Sequence, residues 1–100
     1  MKFIPLALAA AGLLIAGPVM ADEAMAKKNM CMNCHAIDKK LMGPSFKDIA
    51  AKYKSDKAAE KTLTDSIVKG SKGKFGPIPM PPQPKAEADA AALAKWIMSL

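Results

Sequence analysis

Cys31-Met32-Asn33-Cys34-His35 holds both cysteines of the chain and its only histidine. Two cysteines three apart at a helix end project to one side about one turn apart, and the next residue sets an imidazole over the space they bracket. Those are the requirements of haem c, in which two thiols add across the porphyrin vinyl groups and a histidine nitrogen binds iron from the same face. Two other chemistries use Cys-x-x-Cys. A disulfide or thiol-redox site usually follows a strand in a βαβ unit, and no strand pattern precedes Cys31. A zinc site needs a fourth ligand, and the chain has no further cysteine or histidine to supply it. The motif therefore reads as a covalent attachment site, and an absorption spectrum separates low-spin haem c from high-spin haem or none.

Upstream, residues 3–21 carry no charge, are broken by Pro5, Gly12 and Gly17-Pro18, and end in the small-residue pattern Val19-Met20-Ala21. This reads as a cleaved secretory signal, residues 1–21, with cleavage after Ala21 and a single domain over 22–100 in the periplasm. An uncleaved anchor is the competing reading, and either one puts the domain across a membrane. The first cysteine is Cys31, too far downstream for lipid attachment. A domain this small and alanine-rich buries a thin core and needs a staple, which a covalently retained cofactor supplies. The net charge is +6, and losing Lys2 with the leader makes it +5. Arginine is absent and the aromatics are scattered, so nucleic acid is an unsuitable partner, and an acidic protein or membrane surface is the expected one.

Beyond the motif, the only periodicity is helical. Residues 24–34 read as a short helix with Met25, Ala26 and Met30 inward. A loop follows to Gly43-Pro44. Ser45 then opens a second helix, with Asp48 placed as in a capping box and Phe46, Ile49, Ala50 and Tyr53 on one face. A third helix starts after Asp56, carries Leu63 and Ile67, and ends at Gly70 in a left-handed C-cap position. Residues 70–74 read as a mobile basic loop. Five prolines in residues 75–84 exclude both a helix and an interior strand and make that loop stiff and extended. The last helix spans about 87–100, with Leu93, Trp96, Ile97 and Leu100 at helical spacing. The expected fold is all-α: about four short helices, and long loops that need something to wrap around.

With one histidine, a second axial ligand has to be of another type, and methionine is the best candidate. Of eight methionines, Met25, Met30 and Met98 read as flexible core filler, and Met32 points away from between the thiols. Met42, near His35 in sequence, falls on the same side of the porphyrin. Met80 sits within Gly76-Pro77-Ile78-Pro79-Met80-Pro81-Pro82, whose prolines restrict the backbone in advance and reduce the entropy lost in holding a weak thioether ligand. A Met/His pair fills both axial positions and favours electron transfer over oxygen or peroxide chemistry. A carrier is therefore expected, and an enzyme or gas sensor with an open sixth position is not.

These segments resemble the class I c-type cytochromes, specifically the small bacterial periplasmic monohaem type called c-551 or c-552. The resemblance rests on residues 31–35 followed by Ala36-Ile37-Asp38, Gly43-Pro44 with the helix to Tyr53, residues 76–82, and Leu93-Ala94-Lys95-Trp96-Ile97. It implies a small class I cytochrome c fold around one haem c, with Cys31 and Cys34 as thioether sites and His35 and Met80 as iron ligands. It also implies that the Pro44 carbonyl accepts a hydrogen bond from the other nitrogen of His35, and that the first and last helices cross and bury Trp96. The function implied is that of a soluble, monomeric periplasmic electron shuttle without a stable membrane anchor, whose acidic redox partners include terminal oxidases and nitrite reductases. Three places depart from the pattern. Family members often have a tryptophan and an arginine bonding a haem propionate where this chain has Phe75 and Ser66, which leaves the propionate partners open, lysines among them. Ala26 replaces an aromatic on the first helix, predicting a less filled crossing. Gln83 resembles an amide-bearing position whose side chain bonds the methionine sulfur. Lys27, Lys28, Lys39, Lys40, Lys72, Lys74 and Lys85 flank the segments expected to border the exposed haem edge.

Overall fold

The computed structural model describes residues 21–100. The expected leader lies outside the described residues, Ala21 apart. Four α-helices and two 3₁₀ turns account for the regular structure: α1 (Glu23–Lys28), a 3₁₀ turn at Cys31–Asn33, α2 (Phe46–Lys52), α3 (Ala59–Lys69), a 3₁₀ turn at Pro84–Ala86, and α4 (Glu87–Met98). Among the described residues there is no strand, only an isolated antiparallel bridge between Ser71 and Met80. No described helix is long and apolar enough to cross a membrane.

Local chemistry explains where each helix begins and ends. The Asp22 side chain accepts from the Met25 N–H at 3.1 Å, and α1 places Glu23 in its first turn and Lys27 and Lys28 in its last, matching the helix dipole. The helix stops far short of the expected residue 34. Asn29 ends it by folding its side chain back onto the Met25 carbonyl, 3.0 Å away, and Met30 then takes a left-handed φ of 63°. Met30 is accordingly exposed rather than inward. Ser45 caps α2 as expected, its hydroxyl accepting from the Asp48 N–H at 3.0 Å. Asp56 accepts from the Ala58 N–H at 2.8 Å just ahead of α3.

Gly70 ends α3, but not in the expected left-handed C-cap. Its φ of 81° comes with ψ 174°, a region essentially restricted to glycine, which sends the chain straight into the bridge with Met80. The final helix ends at Met98, leaving Leu100 exposed instead of completing the apolar face.

The core is one cluster. Phe46 and Ile49 from α2, Tyr53 just after it, Leu63 and Ile67 from α3, and Ala90, Leu93, Ala94 and Ile97 from α4 are all buried. Each fully buried Leu or Ile contributes about 1.5–3 kcal/mol. The helix pairing centres on α4, which packs against α3 most extensively and also meets α2 and α1. Ala26, Ala90 and Ala94 are each 0% exposed, so α1 and α4 come together through small side chains. Trp96, expected to be buried, is only half-buried, edge-on to Phe46 at 5.4 Å between ring centroids.

Candidate functional site

The attachment turn is built by the break after α1. Because 3₁₀ geometry repeats every three residues, side chains at i and i+3 eclipse, so the turn starting at Cys31 brings Cys31 and Cys34 to one side. Both are free thiols. Burial pushes the Cys31 thiol above its ordinary value, and the neighbouring Cys34 adds to the rise, against a lowering by its own backbone hydrogen bond. The turn is anchored from outside as well. The Asn29 amide donates to the Asp89 carboxylate of α4 at 3.0 Å, and the Lys28 ammonium lies 3.5 Å from the same oxygen.

His35 follows with its backbone N–H bonded to the Cys31 carbonyl at 3.0 Å. Its ring is held on three sides. Nδ1 donates to the Pro44 carbonyl at 2.7 Å, the contact expected of Pro44. The ring stacks on Phe46, with centroids 5.0 Å apart and planes 21° from parallel. Gly43 presses against it so closely that a Cβ there would sit 2.7 Å from His35 Cε1 and 3.2 Å from the Cys34 carbonyl. With Nδ1 carrying the proton, a neutral imidazole keeps its lone pair on Nε2, the tautomer that ligates a metal.

Across the cleft, Met80 is set by backbone rather than by proline alone. The Ser71 N–H donates to the Met80 carbonyl at 3.1 Å, the Met80 N–H returns a bond to Ser71 at 2.8 Å, and the Gln83 N–H reaches the Ile67 carbonyl of α3 at 2.8 Å. Gly70 permits this approach, since a Cβ there would be 2.6 Å from the Met80 carbonyl oxygen. Met80 is half-buried against the core, whereas Met42 is 65% exposed. The Gln83 amide donates to the Pro81 carbonyl at 3.2 Å instead of to the methionine sulfur.

Between the walls lies a cleft of about 1200 Å³, counting the part open to solvent. Cys31, Cys34 and His35 line it from the attachment turn, Met80 from the proline loop, and Leu93 and Ile97 from α4. Two thiols, one imidazole with a free Nε2, an apolar floor and a glycine that accommodates the ring fit a covalently tethered haem. The described residues contain no cluster of three or more His, Cys, Asp or Glu suited to another metal. Cys31, Cys34, His35, Pro44 and Met80 all line this one cleft. Sequence reasoning missed Gly43 as the cradle of the His35 ring, the Asn29–Asp89 tie and the Ser71–Met80 bridge. Gly43 had a visible signal in its position beside Pro44; the Asn29–Asp89 tie, across 60 positions, and the backbone bridge had none.

A helical shell around an apolar cleft, with a Cys-x-x-Cys-His turn facing a bridged methionine, defines a protein built to hold one tethered planar cofactor. Residues 23–100 match the family model for cytochrome c, and the chain belongs to the cytochrome c family. It is 50% identical over 93 residues to cytochrome c-552 of Nitrosomonas europaea, covering 92% of this chain and 90% of that one. It is 45% identical over 96 residues to cytochrome c-551 of Pseudomonas aeruginosa, covering 94% and 92%. The crystal structure of wild-type Nitrosomonas europaea cytochrome c552 superposes with a TM-score of 0.77 at 49% identity, covering 79% of this chain and 99% of that one. Membership implies covalent haem c and makes this chain a small haem-containing electron carrier.

Proposed function

We propose that the protein is a soluble periplasmic carrier that takes one electron from a respiratory donor and passes it to an acceptor such as a terminal oxidase or nitrite reductase, performing no chemistry of its own. In this reading residues 1–21 are a signal peptide removed after Ala21, Cys31 and Cys34 are the thioether sites, and His35 and Met80 are the axial ligands. Haem c supplies the one-electron couple when bound. The chain does the rest. The observation that carries the reading is the 2.7 Å hydrogen bond from His35 Nδ1 to the Pro44 carbonyl, which orients the ring and directs the Nε2 lone pair to ligation. The Ser71–Met80 bridge fixes the Met80 backbone at the cleft, so that His35 and Met80 together would hold the haem iron and favour electron transfer over oxygen or peroxide chemistry. A Met thioether opposite His also raises the reduction potential. Lys39, Lys40, Lys72, Lys74 and Lys85 are exposed and favour an acidic docking partner.

Replacing Met80 and Met42, two of the three methionines that line the cleft, tests the assignment. Met80→Ala is expected to abolish the sulfur-to-iron absorption band, lower the reduction potential and open the iron to cyanide or carbon monoxide. Met42→Ala is expected to leave all three nearly unchanged, and the reverse pattern would refute the assignment.

A further inference from the structure

Haem brings two carboxylates along with its apolar macrocycle, and a carboxylate entering a protein needs donors or water. This chain has no arginine to offer one. The aromatic and the helix position expected to serve as donors are Phe75, which has no N–H, and Ser66. Among residues lining the cleft, the Gln83 amide is already committed to the Pro81 carbonyl. Tyr53 is in a different condition. It lines the cleft, is only 8% exposed, and among the described residues its hydroxyl has no hydrogen-bond partner. Buried phenolic hydroxyls normally find one, so this donor is poised for a group that enters the cleft.

Its surroundings suit an anion. Phe75 holds the Tyr53 ring edge-on, with centroids 6.4 Å apart and planes at 64°. The Lys52 ammonium sits 5.2 Å above the Phe75 ring, and Lys74 lines the same cleft. Two lysines from two elements thus place positive charge around the Tyr53–Phe75 pair. We propose that the Tyr53 hydroxyl donates a hydrogen bond to a haem propionate, standing in for the indole and guanidinium donors whose places Phe75 and Ser66 occupy. The proposal rests on the covalent haem of the preceding reading. Phe75 is then a positioning residue that fixes the Tyr53 ring by packing alone.

Tyr53→Phe in the haem-loaded protein removes the hydroxyl and keeps the packing. Resonance Raman spectra are expected to show the propionate bending band displaced in the variant, with the porphyrin skeletal bands and the sulfur-to-iron absorption unchanged. Denaturant unfolding is expected to show the folded-to-unfolded ratio falling roughly tenfold or more, the size expected for a hydrogen bond to a charged acceptor. A hydroxyl that only sits unpartnered in an apolar cleft predicts the opposite sign, because its removal relieves a desolvation cost. An undisplaced propionate band, or a variant as stable as its parent, would overturn the proposal. Absence of porphyrin bands in the parent protein would instead overturn the haem reading, so the two failures are distinguishable.

Discussion

The two walls of the cleft are held by different means. On the attachment side, the Cys31–Asn33 turn, His35, Gly43 and Pro44 lie within 14 residues and bond mostly to one another: His35 N–H to Cys31, Gly43 N–H to Cys34 at 2.7 Å, His35 Nδ1 to Pro44. On the methionine side, the proline-rich segment is tied to α3 by the Gln83–Ile67 bond and to the residues just beyond that helix by the Ser71–Met80 pair. A wall made of local bonds forms once its own segment is ordered. A wall tied to a helix outside its own segment exists only after α3 has formed. The attachment side is the more autonomous half, and the methionine side reports on the fold.

The strongest way to break this comparison is to remove what both walls hold. The double variant Cys31→Ala, Cys34→Ala is expected to lack covalent haem by intact mass and to lose most of its helical circular dichroism, since the core loses the cofactor it wraps around. A fully helical, cooperatively unfolding double variant would show that the shell stands without its cofactor.

Next in size are the two glycines, one per wall. Gly70→Ala forces a side chain into a region nearly exclusive to glycine, costing about 1–3 kcal/mol, and pushes a Cβ against the Met80 backbone. It should weaken the sulfur-to-iron band as well as lower stability. Gly43 is not among the positive-φ glycines, so Gly43→Ala meets only the crowding against His35. Loss of stability with the band retained is expected there. If the two variants erased the band equally, the walls would not be independent.

The smallest effect tests the one tie that reaches the attachment turn from afar. The Asn29 amide, followed by the Lys28 charge, holds the Asp89 carboxyl below its ordinary value of 3.8. Because folding lowers this pKa, the unfolded chain binds the proton more readily. The stability Asp89 lends is present above the unfolded value and disappears as pH falls through the lower folded one. Asp89→Asn should therefore flatten the loss of stability below about pH 4 relative to the parent. Asp65, lowered chiefly by its hydrogen bond from Lys61 one turn away on the same exposed helix face, should contribute a smaller and salt-sensitive share. Identical acid unfolding of the parent and the Asp89 variant would mean that the tie does not stabilise the turn.

How much was legible follows the same division. Cys31, Cys34 and His35 are adjacent in the chain, so their chemistry is readable without a fold. Ser45 to Tyr53 is readable too, because a cap and a helical face are properties of consecutive residues. Helix 24–34 was misread because Ala, Lys and Met favour a helix throughout, while the break depends on an Asn29 side chain that bonds both its own helix and Asp89, 60 positions away. Burial of Trp96 and Leu100 was overestimated for a related reason: helical spacing marks a face, but the neighbours decide how far along that face the core extends.

The sequence by itself determined the haem-attachment chemistry and the all-α class, because these depend on residue types and spacings within short segments. Tertiary structure decided the rest: the close crossing of α1 and α4 through alanines, the use of Gly70 to admit the Met80 backbone, and the isolation of the Tyr53 hydroxyl in the cleft. Each of these depends on atoms brought within a few ångströms by the path of the folded chain and by packing between elements, and no run of consecutive residues encodes such distances.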